Sequence, residues 1–184
     1  MKNRRGLPVV VFLSWWLCIS VFATVREEYT IKAAFMGKFP QFIQWPDKSG
    51  MTDTSKPFVI GVIGEDPFGS ILEKCYAGKN RKIKNKKVKI KYVKSLEEIP
   101  GCHLLFISRS VENDLLKILS ITKNKPILTI GETQGFAQKG VHINFYISQK
   151  RIRFEINPLA IRESSLSVDS LLLEFAKTIK PGEK

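Results

Sequence analysis

Histidine and cysteine are scarce in this chain: its 184 residues include two of the first and three of the second. His103 and His142 each stand at the start of an apolar run, and no G-x-S-x-G elbow is present. The nucleophile, base and orienting carboxylate of acyl transfer therefore have no local motif, and both histidines are expected to be structural. No C-x-x-C pair or Cys/His cluster occurs, which argues against a metal site. Gly61, Gly64 and Gly69 lie between a strand-like run and a helix-like one, but their spacing fits neither the dinucleotide fingerprint nor the P-loop. Glu65 and Asp66 would also place negative charge where such a loop holds phosphate. The adjacent pairs Glu65/Asp66 and Glu97/Glu98 read as helix-start residues rather than an acid and a base. With no internal repeat and no cofactor motif, the expectation is a protein that is not an enzyme.

Long apolar runs are missing too, except at the start. In MKNRRGLPVVVFLSWWLCISVFATV, Lys2, Arg4 and Arg5 precede an apolar stretch from Leu7 to about Ile19 and the small-residue site Val21-Phe22-Ala23. This layout predicts a secretory signal over residues 1–23, cleaved after Ala23, with an uncleaved anchor as the rival reading. Residues 24–184 are enough for one domain. Cys18 leaves with the signal. The mature chain then carries 27 Lys and Arg against 17 Asp and Glu. An exported chain meets no intracellular nucleic acid, so that excess points to anionic surfaces or acidic protein partners. Cys75 and Cys102 remain, either bridged across a loop of about 28 residues, worth roughly 3 to 4 kcal/mol, or present as two buried free thiols.

Carboxylates are absent from the stretch KNRKIKNKKVKIKYVK, residues 79–94, which holds nine basic side chains. Val88, Ile90 and Tyr92 alternate there with Lys87, Lys89 and Lys91, predicting a strand with one face to the core and one to water. Upstream, Ile31, Ala34, Phe35, Phe39 and Phe42 recur at helical spacing, with a break expected around Gly37 to Pro40. Phe58 to Ile63 reads as a buried strand, followed by a helix from about Pro67 to Tyr76 with Asp66 as its N-cap. HLLFIS, the helical VENDLLKILSITK and PILTIGE continue the alternation. VHINFYISQKRIRFEIN then predicts an antiparallel hairpin turning at Ser148-Gln149-Lys150, and Leu171, Leu172, Phe175 and Ile179 form an apolar stripe on a late helix. The fold class is α/β: a single domain with a mixed, mostly parallel sheet flanked by helices and a C-terminal antiparallel hairpin. Arg151, Arg153 and Glu155 share one strand face, as a polar site or as a cross-strand ion pair.

Taken together, IKAAFMGKFPQFIQWP, FVIGVIGEDPFGSIL, CHLLFIS and ILTIGETQGFAQKGVHINFYISQKRIRFEINPLAI resemble in order and spacing the YfiR family, from about Tyr29 to Lys177. The resemblance implies a periplasmic repressor without enzymatic activity. Such proteins bind the periplasmic sensor domain of a membrane-anchored diguanylate cyclase and keep cyclic di-GMP low, restraining biofilm formation. Some are sequestered in turn by an outer-membrane lipoprotein, and homodimers and redox-sensitive disulfides are family features. Cys102 matches a family cysteine and Cys75 is placed like its partner, which implies a bridge between them. The second pair that some members carry at the late hairpin is missing. Phe39, Phe42 and Trp45, with Arg151, Arg153 and Glu155, are the candidate partner-binding residues. The alternative is a small-ligand sensor or binding component serving a transporter or kinase, with its pocket at the carboxyl ends of the parallel strands, near Gly64 to Gly69 and Ser108 to Ser110.

Overall fold

The computed structural model describes residues 25–76, 78 and 81–179. The expected leader, residues 1–23, lies outside the described residues. Short apolar runs with no polar alternation need cover on both faces, and here they form the middle of the molecule. These are β2 (Phe58–Ile63), β5 (Leu104–Ile107) and β6 (Leu128–Gly131), with β4 (Lys86–Val93) beside β2 and β7 (Ile143–Ser148) beside β6. Together they form a parallel block in the order β4-β2-β5-β6-β7. On one side β8 (Arg151–Ile156) pairs antiparallel with β7, and β10 (Lys177–Thr178) runs parallel to β8. On the other, β3 (Lys82–Ile83) closes onto the first two residues of β4. A small second sheet joins β1 (Ile43–Gln44) to β9 (Ser167–Val168).

Each face of the sheet has its own core. The first is covered by helix α1 (residues 25–38), the 3-10 turn Phe39–Phe42 and helix α2 (Ile71–Tyr76), and packs Met36, Phe39 and Leu72 onto Phe58, Ile60 and Phe106. The second lies under the 3-10 segment Leu96–Gly101, helix α3 (Leu115–Thr122) and helix α4 (Phe136–Lys139), with Ile99, Leu115 and Phe136 against Leu105 and Ile107. Helix α1 ends where Gly37 and Pro40 predict a break. A Cβ at Gly37 would lie 2.6 Å from the Tyr76 hydroxyl, which donates to the Ala33 carbonyl. The tight approach of α2 to α1 requires the missing side chain.

Several expectations are corrected. The helix predicted from Pro67 begins at Ile71, because Asp66 accepts from the Phe68 amide and closes a local turn instead of capping a helix. Tyr92 is 40% exposed, its hydroxyl donating to Glu73, while Lys86 is fully buried and donates to the carbonyls of Gly50 and Asp53. Lys91 is half-buried against Glu98 rather than free in water. On the late helix Ser170–Glu174 Leu172 is buried, whereas Leu171 and, just beyond the helix, Phe175 are exposed, since only one turn of helix meets the core. Cys75 and Cys102 are free thiols. Cys75 packs on the first core and Cys102 in the second, so the sheet stands between them and the expected bridge is not formed. Burial pushes the Cys102 thiol up to about 11, which keeps it protonated and inert at neutral pH.

Candidate functional site: a polar cleft at the carboxyl edge of the sheet

The chain order within the parallel block reverses between β2 and β5, because β4 lies on one side of β2 and every later parallel strand on the other. Loops leaving such a reversal part to opposite faces and open a crevice, the usual ligand position in doubly wound sheets. A cleft of about 1180 Å3 opens there, lined by α1, by the loops after β2, β5 and β6, by the middle of β7 and, from the strands beyond it, by Glu155 and Lys177. Gly64, at φ +90°, turns the chain out of β2, and a Cβ on it would lie 2.5 Å from the Ser110 hydroxyl. That hydroxyl accepts the Glu65 amide at 2.8 Å, so the two loops bounding the crevice are tied together.

Charges of both signs meet in this cleft. Lys32, on α1, is 4% exposed and donates to Glu28 and, at 2.6 Å, to Glu132. The Tyr29 hydroxyl donates to the other Glu132 oxygen at 3.2 Å, and burial beside that carboxylate pushes the phenol well above its ordinary range. On the opposite wall the buried Asn144 amide donates to the Thr133 carbonyl at 3.0 Å and to Glu155 at 3.1 Å. Lys177 approaches Glu155 at 3.9 Å. Arg109 and Lys139 stand exposed at the rim. Two buried oxygens, Asn144 Oδ1 and Thr133 Oγ1, have no hydrogen-bond partner among the described residues. Unpaired buried acceptors are uncommon, and each marks a place where a donor would be stabilised.

The sequence-predicted residues divide. The pocket expected near Gly64 to Gly69 and Ser108 to Ser110 is where the cleft lies, bounded by Glu65, Asp66, Ser108 and Ser110. Of the six partner-binding candidates, Glu155 is buried in the cleft wall, while Arg151 and Arg153 are exposed on the β8 end of the hairpin. Phe39 is corrected to a core residue, 1% exposed and 5.0 Å from Phe154 between ring centres. Trp45 donates its indole N–H to the Pro126 carbonyl and meets Phe58 edge-on. This fixes it by the amino ends of β2 and β6, the far end of the sheet from Arg151. Phe42 is half-buried against the first core. The six do not form one surface. Sequence reasoning missed Lys32, Glu132 and Asn144. The i,i+4 pair Glu28/Lys32 and a polar residue directly after each apolar strand were the available signals.

The histidines are structural, as expected. His142 Nδ1 accepts the Thr129 amide at 3.1 Å, so its Nε2 carries the proton and donates to Ser164 Oγ at 2.9 Å. Burial depresses its pKa to about 4. His103 accepts the Val59 amide and stacks on Phe58.

The chain matches the YfiR/HmsC-like family over residues 29–177, most of its length. It belongs to that family. Proteins of this kind are regulatory rather than catalytic. No curated protein matches the sequence. Among solved structures it is similar to an ABC domain in complex with L-Trp from Streptococcus pneumonia, with 14% identity and a TM-score of 0.45 over 72% of this chain. This chain spans 60% of that one. Among the described residues no helix is long and apolar enough to cross a membrane.

Proposed function

We propose that this YfiR/HmsC-like protein is a periplasmic repressor. It binds the periplasmic sensor domain of an inner-membrane diguanylate cyclase and holds the enzyme inactive. Family membership over residues 29–177 is the observation that carries this reading. The mechanism is a population shift, in which the regulator binds the inactive state of the sensor domain better than the active one. Moving the cyclase from mostly active to mostly inactive takes a differential of about 5 kcal/mol, within reach of an ordinary interface. Arg151 and Arg153, exposed where the late hairpin borders the cleft, are the residues proposed to meet the partner, with half-buried Tyr146 paired to Arg153. Release by an outer-membrane lipoprotein belongs to the same proposal.

The experiment is capture from detergent-solubilised membranes of the native host, using the tagged protein as bait. Recovery of a membrane protein with a cyclase domain, lost in an Arg151→Glu/Arg153→Glu variant, supports the reading. A cyclase-free capture from a strain that makes one contradicts it.

A second reading, a small-ligand sensor, is favoured by the cleft at the strand reversal with its two unpaired buried oxygens. A thermal-shift screen with small polar compounds tests it. A ligand that raises the midpoint for the native chain but not for Asn144→Ala supports a sensor, and silence across the screen leaves protein contact as the mode of action.

A further inference from the structure

At the β3–β4 end of the sheet the charge is of one sign. No Asp or Glu occurs from residue 74 to residue 96. In the β3–β4 ladder Lys82 stands directly opposite Lys87, a like-charge pair that repels across the strands. Strand alternation sets Lys89 on the same face as Lys87, about 6.6 Å further along. Lys82, Lys87 and Lys89 are all exposed. Among the described residues no carboxylate is within ion-pair distance of these three; Lys91, next in the row, is the one with a partner, 3.7 Å from Glu98. From Val88 onward no strand among the described residues lies beside the outer edge of β4, so the row runs along an open rim of the described fold. Folding does not require this arrangement. Guarding an edge strand takes a single charge, and the Lys82/Lys87 pair weakens the hairpin that carries it.

We propose that this face docks on an anionic lipid bilayer. A bilayer is broad, flat and negative throughout, which matches a row of flexible ammonium groups on an open margin. An acidic protein segment is the other polyanion to consider. Selective recognition of carboxylates favours the planar fork of arginine, yet Lys82, Lys87 and Lys89 are all lysine. Exposed Arg81 and Lys94 widen the positive surface at either end. Adsorption also sets negative headgroups against the repelling Lys82/Lys87 pair. Docking would hold the protein beside a membrane partner, but the inference stands on the lysine row and not on the cyclase reading.

The test is co-sedimentation of the exported form of the protein, its N-terminus determined, with vesicles of phosphatidylethanolamine and phosphatidylglycerol, against vesicles of phosphatidylcholine. The expected result is salt-sensitive binding to the anionic vesicles alone. The triple variant Lys82→Gln/Lys87→Gln/Lys89→Gln should bind them about a hundredfold more weakly. A control variant, Lys48→Gln/Lys123→Gln/Lys150→Gln, removes the same charge from exposed sites elsewhere and should bind nearly as well as the native chain. Circular dichroism checks that both variants are folded. Equal losses in the two variants, equal binding to neutral vesicles, or binding to polyglutamate but not to vesicles would overturn the proposal.

Discussion

At the cleft, Lys32 is buried between Glu28 and Glu132, and Glu155 is held by Asn144 with Lys177 near it. At the β3–β4 margin, Lys82 and Lys87 face each other across the ladder in a stretch free of carboxylates. Burial accounts for the difference. A charge removed from water is tolerated only when paired and hydrogen-bonded, so the cleft assembles opposite signs from α1, the loop after β6 and β8. A charge in water is screened and weakly coupled to its neighbours, so the margin is free to collect one sign. Charge in the cleft is thus bound to the fold, and charge at the margin is available for something outside it.

Breaking the buried side of this comparison should have the largest effect. Lys32→Ala leaves Glu132 enclosed without its cation and should lower stability by about 3 kcal/mol in urea unfolding. Adding Glu132→Gln should recover much of that loss. His142, buried but neutral, sharpens the contrast through pH. Its folded pKa, about 4, lies below its ordinary 6.5, so its contribution is complete above pH 6.5 and is lost as pH falls from 6.5 toward 4. In that window the unfolded state binds the extra proton, and stability should fall by ~3 kcal/mol in unfolding curves taken across it, a slope that His142→Gln removes.

Gly131→Ala tests the packing of the cleft wall. Its Cβ would lie 2.8 Å from Phe136 and 2.9 Å from Asn144 Oδ1, so the side chain that bonds Glu155 must shift. A loss of about 1 to 3 kcal/mol is expected by thermal unfolding. The smallest effect belongs to the margin. Lys82→Gln or Lys87→Gln relieves the repelling pair and should leave stability unchanged or raise it by up to about 0.5 kcal/mol. A large loss there would erase the distinction between the two regions.

Much of the fold was legible because its central strands are short apolar runs bounded by turn residues. β2 matches its predicted span, Phe58–Ile63, and β5 and β6 fall within a residue or two of theirs. The late hairpin was legible from its alternation, although its loop is the pair Gln149 and Lys150, both at positive φ. The β3–β4 hairpin was hidden for a related reason. It turns at Lys84 and Asn85 with φ of 51° and 63°, and Lys gives none of the usual sign of such a turn. At the site, the position of the cleft followed from strand alternation and its occupants did not. Lys32 and Glu132 are a hundred residues apart, and nothing local marks their pairing. Phe39 looked like a partner residue because an aromatic beside a helix break is ambiguous until the neighbouring strands show what covers it. The bridge between Cys75 and Cys102 rested on resemblance, and the sheet between them is a property of topology that matching phrases do not contain.

The central claim is that this YfiR/HmsC-like protein restrains a membrane-bound diguanylate cyclase. It is tested most directly by measuring cellular cyclic di-GMP in a strain from which the gene is deleted, and again after the native chain is restored. The account predicts a rise on deletion that restoration reverses. An unchanged level in a host that contains such a cyclase would contradict it.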